Sequence, residues 1–262
     1  MPFQEAEDVY RLACMELRGG NQSATYSALL PGLAGWVSCR PLDPSPYGGD
    51  LYYLSACSNG VIARVVLADV AGHGELVNAA AVRLSDELRQ HVDYWDQSML
   101  IRQLNDSFLN VTEKGQFATA FLASFYSDTG ELLFTNAGHM PPLWYRAGTR
   151  EWSFMSDSTP LSKEIVDLPL GLIAGTAYTQ TAVQIERGDL LLLYTDGVSE
   201  ACGESGEQLG LEGLFSIAQT LPTESAVAAG EGLLAAVTRY RGGEPAADDQ
   251  TVVALQRSTG GM

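Results

Sequence analysis

Three features of this sequence predict an α+β fold: an αββα sandwich of two antiparallel β-sheets flanked by helices. Turn signals separate short apolar runs. Ser58-Asn59-Gly60 lies between Leu51–Ser55 and Val61–Ala68, and Ser127-Asp128-Thr129-Gly130 lies between Phe117–Tyr126 and Glu131–Asn136; such spacing makes hairpins. The runs beginning at Val61 and Leu190 are apolar at successive positions, which suits strands covered on both faces. Helical periodicity occurs in grouped segments instead of alternating with strands, which argues against a parallel doubly wound sheet.

Taken in order, Gln4 to Leu17 has Val9, Leu12, Ala13 and Met15 at helical spacing and stops at Gly19-Gly20, so a helix is predicted there. Asn21 to Gly35 reads as loop, and Trp36–Arg40 as the first strand. A proline-rich turn (Pro41, Pro44, Pro46) leads to Gly48-Gly49-Asp50. After the Asn59-Gly60 hairpin, two helices are predicted, over Glu75–His91 and Gln97–Leu109. The second hairpin follows, then a strand at Leu143–Arg146 and a loop-like stretch to Gly175. Strands at Tyr178–Ile185 and Asp189–Tyr194 flank Glu186-Arg187-Gly188. Helices over Leu211–Thr220 and Glu224–Arg239 precede a last strand, Thr251–Gln256. The 262 residues, 46% of them hydrophobic, can bury one large core. The expected division is an N-terminal helix and loop over 1–33, one main domain over 34–257, and a short tail over 258–262.

Fifteen Lys+Arg stand against 32 Asp+Glu, a formal charge of −17. So acidic a surface repels phosphate backbones and anionic lipid, so neither nucleic acid nor a membrane is expected as partner. Cys14, Cys39, Cys57 and Cys202 form no Cys-x-x-Cys pair, so neither a zinc site nor a disulfide framework is indicated. Cys57 and Arg64 are one residue too far apart for the loop of cysteine phosphatases. An acidic N-terminus and the lack of an apolar stretch near 20 residues point to a soluble, reduced, cytoplasmic protein.

Aspartates stand at the mouths of these strands: Asp50 before Leu51–Leu54, Asp69 after Val61–Ala68, Asp196 after Leu190–Tyr194, and Asp248-Asp249 before Thr251–Leu255. Aspartate is a poor strand former and costly to bury ionised. Its recurrence there implies carboxylates converging on one edge of the sheets. They would repel one another unless a cation neutralised them, and an all-oxygen set suits a hard divalent ion.

Five motifs occur in order: Gly-Gly-Asp at 48–50, Asp-Val-Ala-Gly-His-Gly at 69–74, Asn-Ala-Gly-His at 136–139 followed by Pro141-Pro142, Tyr-Thr-Asp-Gly-Val-Ser-Glu-Ala at 194–201, and Asp-Asp-Gln-Thr at 248–251. Over about Ala34 to Arg257 the chain resembles the SpoIIE-type branch of the metal-dependent (PPM, type 2C-like) serine/threonine protein phosphatases. The resemblance implies the sandwich fold and two Mg²⁺ or Mn²⁺ ions at one end. It implies Asp69 bridging both ions with Asp50 helping, Asp196 and Asp248 completing one ion's shell, and the backbone carbonyl of Val70 as a further ligand. Asp249 stays a candidate beside Asp248, which is favoured because type 2C relatives carry Asn at the second position.

Two such ions activate a water that attacks phosphorus, so no protein nucleophile is needed. His73 and His139 are candidates for positioning water or protonating the leaving group, or else for organising their loops. Arg40 is weighed as a phosphate contact against a solvated arginine. Asn136, Gly197 and Glu200 are expected to shape the site from behind, and His91 to lie on the surface. The segment Glu75-Leu76-Val77-Asn78 departs from the small and apolar residues relatives often carry, in a helix that the family uses for control.

The expected function is therefore removal of phosphate from phosphoserine or phosphothreonine, on a bacterial signalling regulator of the anti-sigma-factor-antagonist type. Two alternatives stand beside it: a non-catalytic metal-binding relative that sequesters a regulator, and a hydrolase of small phosphomonoesters. Metal-coupled turnover separates the first, and relative kcat/KM on metabolites and phosphoproteins the second. A homodimer is left open.

Overall fold

The computed structural model describes residues 9–13, 16–42, 44–57, 60–72, 75–91, 96–111, 115–155 and 167–258. Their elements run β1 (Val9–Arg11), β2 (Leu17–Gln22), β3 (Ala24–Leu30), β4 (Leu33–Arg40), β5 (Tyr47–Cys57), β6 (Ile62–Val70), α1 (Glu75–Gln90), α2 (Gln97–Val111), β7 (Ala118–Tyr126), β8 (Glu131–Ala137), β9 (Leu143–Arg146), β10 (Glu151–Phe154), β11 (Thr181–Gln184), β12 (Leu190–Tyr194), α3 (Asp196–Ser199), α4 (Gly210–Ala218), α5 (Ala226–Tyr240) and β13 (Gln250–Arg257).

Two sheets form the centre. One has the order β1-β3-β4-β13-β12-β9-β10 and the other β11-β8-β7-β6-β5-β2. All pairings are antiparallel except the parallel contact of β1 with β3. Strand β6 shows why alternation is missing from its sequence. Ala63, Val65 and Leu67 face the core between the sheets, whereas Val66, Ala68 and Val70 face the core beneath α1 and α2. In β12, likewise, Leu191 and Leu193 point inward, and Leu190, Leu192 and Tyr194 pack beneath α4 and α5. Both faces are dry, so both are apolar.

Helix α5 is capped by Ser225, whose hydroxyl accepts from the Ala228 N–H at 3.0 Å. It sits so close to β4 that a side chain on Gly230 would run into the Trp36 ring. Here glycine is kept for close packing, not for backbone freedom.

The N-terminal expectation is corrected. Where a helix was expected, Val9–Arg11 and Leu17 onward are strand, and the expected loop contains β3 and the start of β4; residues 1–8, 14 and 15 lie outside the described residues. The helical spacing of Val9 and Leu12 was coincidental. Strand β3 carries its signal as alternation: Tyr26, Ala28 and Leu30 enter the core between the sheets. A domain boundary at 34 would cut the β3–β4 hairpin, in which Leu30 pairs with Leu33. Strand β10 was also missed, in a stretch read as loop-like. Among the described residues no helix is long and apolar enough to cross a membrane.

Candidate metal centre

The strand mouths that carry the aspartates meet at one end of the sandwich. Asp50 at the start of β5 is the direct cross-strand partner of Asp69 at the end of β6. Opposite them, β12 delivers Thr195 and Asp196, and β13 is preceded by Asp248 and Asp249. The two sheets are stitched together here by Thr195. Its hydroxyl donates to Asp50 Oδ2 at 2.7 Å and accepts from the Thr251 N–H at 3.0 Å. Its own N–H donates to the Thr251 carbonyl at 3.1 Å.

The carboxylates feel both burial and one another. Asp50, 2% exposed, is held well above the usual carboxylate range by desolvation and then by the Asp69 charge, against the Thr195 and Thr251 hydroxyls. Asp69 is pushed up to about 7 by burial and by Asp196, Asp248 and Asp249. Asp196 is raised by burial, then by Asp248 and Glu200. Carboxylates held above their ordinary range by burial and mutual repulsion are what a cation would relieve.

The donors present fit a hard divalent ion. They are all oxygen, and Gly49 keeps one more within reach: a Cβ there would stand 2.9 Å from the Val70 carbonyl and 2.8 Å from Val77 Cγ1. Among the described residues no three His, Cys, Asp or Glu side chains close around a single point. An all-oxygen donor set suits Mg²⁺ or Mn²⁺ better than zinc, which takes mainly nitrogen and sulfur.

The structure separates Asp248 from Asp249. Asp249 is turned back into the fold, its Oδ1 accepting from the Leu42 N–H and its Oδ2 from the Gly49 N–H, both at 2.6 Å. Asp248 is exposed, and its Oδ1 accepts from the Asp249 N–H at 2.8 Å. Asp249 thus fastens the Gly48-Gly49-Asp50 turn, whereas Asp248 is exposed and its charge bears on Asp69 and Asp196. Gly197 completes the junction: a Cβ there would collide with the Asp249 carbonyl oxygen, and the Gly197 carbonyl accepts from Gln250 Nε2 at 2.7 Å.

His139 is near the cluster but enclosed, at 7% exposure. Its Nδ1 lies 2.8 Å from Thr119 Oγ1, and Thr119 is the cross-strand neighbour of Asp69. Asn136 clasps the same turn, accepting from the His139 N–H at 2.7 Å and donating to the His139 carbonyl at 3.0 Å. Burial pushes the imidazole down to about 4, with the Tyr194 carbonyl opposing weakly. An imidazole lowered in the fold adds stability that is present above its unfolded value near 6.5 and lost as pH falls toward 4. Relative to His139→Gln, the native protein is therefore expected to lose about 3 kcal/mol between pH 7 and pH 4. Urea unfolding of both proteins across that range measures it; parallel curves would contradict this assignment.

His73 lies outside the described residues. Arg40 is exposed at the end of β4, paired in register with Gln250. Glu200 is exposed and accepts from Gln208 Nε2 at 3.2 Å. His91 is on α1's C-terminal side, 3.3 Å from Glu87. Sequence reasoning gave no role to Thr195, Thr119 or Gln250. Thr195 and Gln250 lie inside quoted motifs, but nothing in a linear pattern shows a hydroxyl reaching across to the opposite sheet.

The model of the Stage II sporulation protein E (SpoIIE) family matches residues 62–258, about three quarters of the chain. Phosphoserine phosphatase RsbU of Bacillus subtilis (strain 168) is 25% identical over 163 residues, covering 60% of this chain and 44% of RsbU. The chain thus spans less than half the length of that curated relative. Among solved structures, the RsbU and RsbW domains of Rv1364c from Mycobacterium tuberculosis superpose with a TM-score of 0.70 at 22% identity, over 89% of this chain and 64% of that one. The catalytic domain of the serine/threonine phosphatase PstP, in complex with two manganese ions, superposes with a TM-score of 0.57 at 16% identity, over 86% and 97%. Those structural likenesses show the type 2C-like α+β fold. The family model covers the strands that carry Asp69, Asp196 and Asp248, and this chain belongs to the SpoIIE family.

Proposed function

We propose that this protein is a Mg²⁺- or Mn²⁺-dependent phosphatase of phosphoserine and phosphothreonine in proteins. The observation that carries the reading is the facing pair Asp50–Asp69 with Asp196 beside it, three carboxyl groups whose ionisation is suppressed by burial and by neighbouring charge, Asp248 being one source of that charge. Two divalent ions bound there would supply an activated water and offset charge on the transferring phosphoryl oxygens. The chain's own residues do the rest. Asp69 and Asp50 would hold the ions from one sheet and Asp196 and Asp248 from the other, with the Val70 carbonyl as a further oxygen. Thr195 fixes the Asp50 rotamer, and Asp249 fixes the turn that presents Asp50. His139, neutral at pH 7 and tied to Thr119, acts as a brace for the strand beside Asp69 and not as the proton donor.

Both the naming of RsbU as a phosphoserine phosphatase and the manganese in the PstP structure support this reading. The substrate we propose is a small phosphorylated regulator of the anti-sigma-factor-antagonist type, in the cytoplasm. The test is phosphate release from a phosphoserine peptide, and from any such regulator encoded beside this gene, with Mn²⁺ and with EDTA. Turnover with Mn²⁺ and none with EDTA is expected. Metal binding without turnover would favour a sequestering relative, and a far higher kcat/KM on small phosphomonoesters would favour a metabolic hydrolase.

A further inference from the structure

A cavity of about 490 Å³ opens beside the aspartate cluster, with Asp248 and Gly197 in its lining. One wall is the segment after α3. It is held in shape by the Leu209 N–H on the Ala201 carbonyl at 2.9 Å and the Tyr240 hydroxyl on the Glu207 carbonyl at 3.0 Å. The other wall is the segment from Arg241 to Asp248, turned by Gly242 and Gly243 at φ +63° and +103°. The walls meet where the Glu204 side chain lies against Gly242. The groove is therefore preformed, and it runs from the rim of the metal centre outward.

Its charge is specific. Glu200, Glu204 and Glu244 line it beyond Asp248, with Arg241 as the one lining cation. Arg241 Nε is enclosed and has no hydrogen-bond partner, and a buried donor left unmatched is costly. Arg241 also lines the groove and is only partly buried, so a peptide carbonyl can meet the accessible N–H groups of its guanidinium. A phosphoprotein approaching a chain of net charge −17 meets repulsion that a basic side chain next to its phosphate would offset.

We propose that this groove docks the substrate segment adjoining the phosphorylated residue. It would select a Lys or Arg side chain between Glu204 and Glu244 while Arg241 holds the peptide backbone. The proposal rests on the phosphatase reading for what is docked. A cavity of this size admits one long side chain and its flanking backbone.

The test uses two pairs of fluorescein-labelled phosphoserine peptides, each pair differing only in Lys or Glu at one side of the phosphoserine. Binding is read by anisotropy in EDTA, and turnover with Mn²⁺ alongside p-nitrophenyl phosphate. In one pair the Lys peptide should bind about tenfold more tightly. The Glu204→Gln/Glu244→Gln protein should raise KM for that peptide about fivefold, leaving kcat and p-nitrophenyl phosphate hydrolysis unchanged. Arg241→Gln should weaken both members of the pair alike. Equal binding of Lys and Glu peptides in both pairs, or a preference that survives the double substitution, overturns the proposal. If the native protein lacks metal-dependent turnover of p-nitrophenyl phosphate, the phosphatase reading fails instead, and anisotropy still decides the docking.

Discussion

Asp69→Asn is expected to lower metal-dependent phosphate release by more than about 10³-fold while leaving the metal-free fold intact or slightly more stable. Asp69 faces Asp50 across the β5–β6 ladder and is raised by Asp196 and Asp248 from the other sheet, so it is the one group coupled to every other proposed ligand. Asparagine keeps the shape and removes the charge that would hold the ions. The stability sign follows from linkage. A carboxyl group raised to about 7 in the fold contributes stability that is present below its unfolded value near 4 and is lost as pH rises through 7. At pH 8 the native side chain is charged among like charges, and asparagine removes that repulsion. Steady-state rates with Mn²⁺ and thermal unfolding in EDTA measure the two halves. Retention of most of the activity would sink the ligand assignment.

The adjacent pair Asp248/Asp249 should divide activity from stability. Asp248→Asn is expected to cost more than about 10²-fold in turnover with little change in unfolding, because its exposed carboxyl group is the proposed ligand. Asp249→Ala should instead destabilise the protein by about 2–4 kcal/mol. It strips the acceptors from the Leu42 and Gly49 N–H groups, both in part-buried hydrogen bonds, and each part-buried donor left without a partner costs about 1–2 kcal/mol, the lower part of the range for buried donors. Some activity would fall with it, since the Gly48–Asp50 turn loses its anchor. Chemical denaturation and Mn²⁺-dependent rates on both variants test this. A stable, inactive Asp249→Ala beside an active Asp248→Asn would reverse the assignment.

The convergence of the acids was legible in the sequence because strand-mouth aspartates are anomalous. An acid next to Leu-Leu-Leu-Leu-Tyr or Val-Val-Leu-Ala needs a reason, and the structure brings those acids to one end of the sandwich. The central strands were legible too, since the dry faces of β6 and β12 leave no polar position in the run except Arg64, buried at 2% with Nε 3.4 Å from Ser124 Oγ. The N-terminal strands were not. Strand β2 contains Gly19-Gly20, which reads as a stop, yet Gly19 is there because a side chain would strike the Tyr52 carbonyl. Strand β1 is three residues long and pairs in parallel with β3, too short to carry a period. Thr195 and Asp249 were beyond reach for another reason: each role is set by a partner 145 to 207 positions away.

The most direct test of the account is a calorimetric titration of Mn²⁺ into the native protein and into Asp69→Asn, with phosphate release from a phosphoserine peptide followed in the same samples. The account predicts two ions per native chain, turnover that rises as they bind, and loss of both in the variant. Phosphate release that proceeds undiminished in EDTA, or that survives in Asp69→Asn, would contradict it.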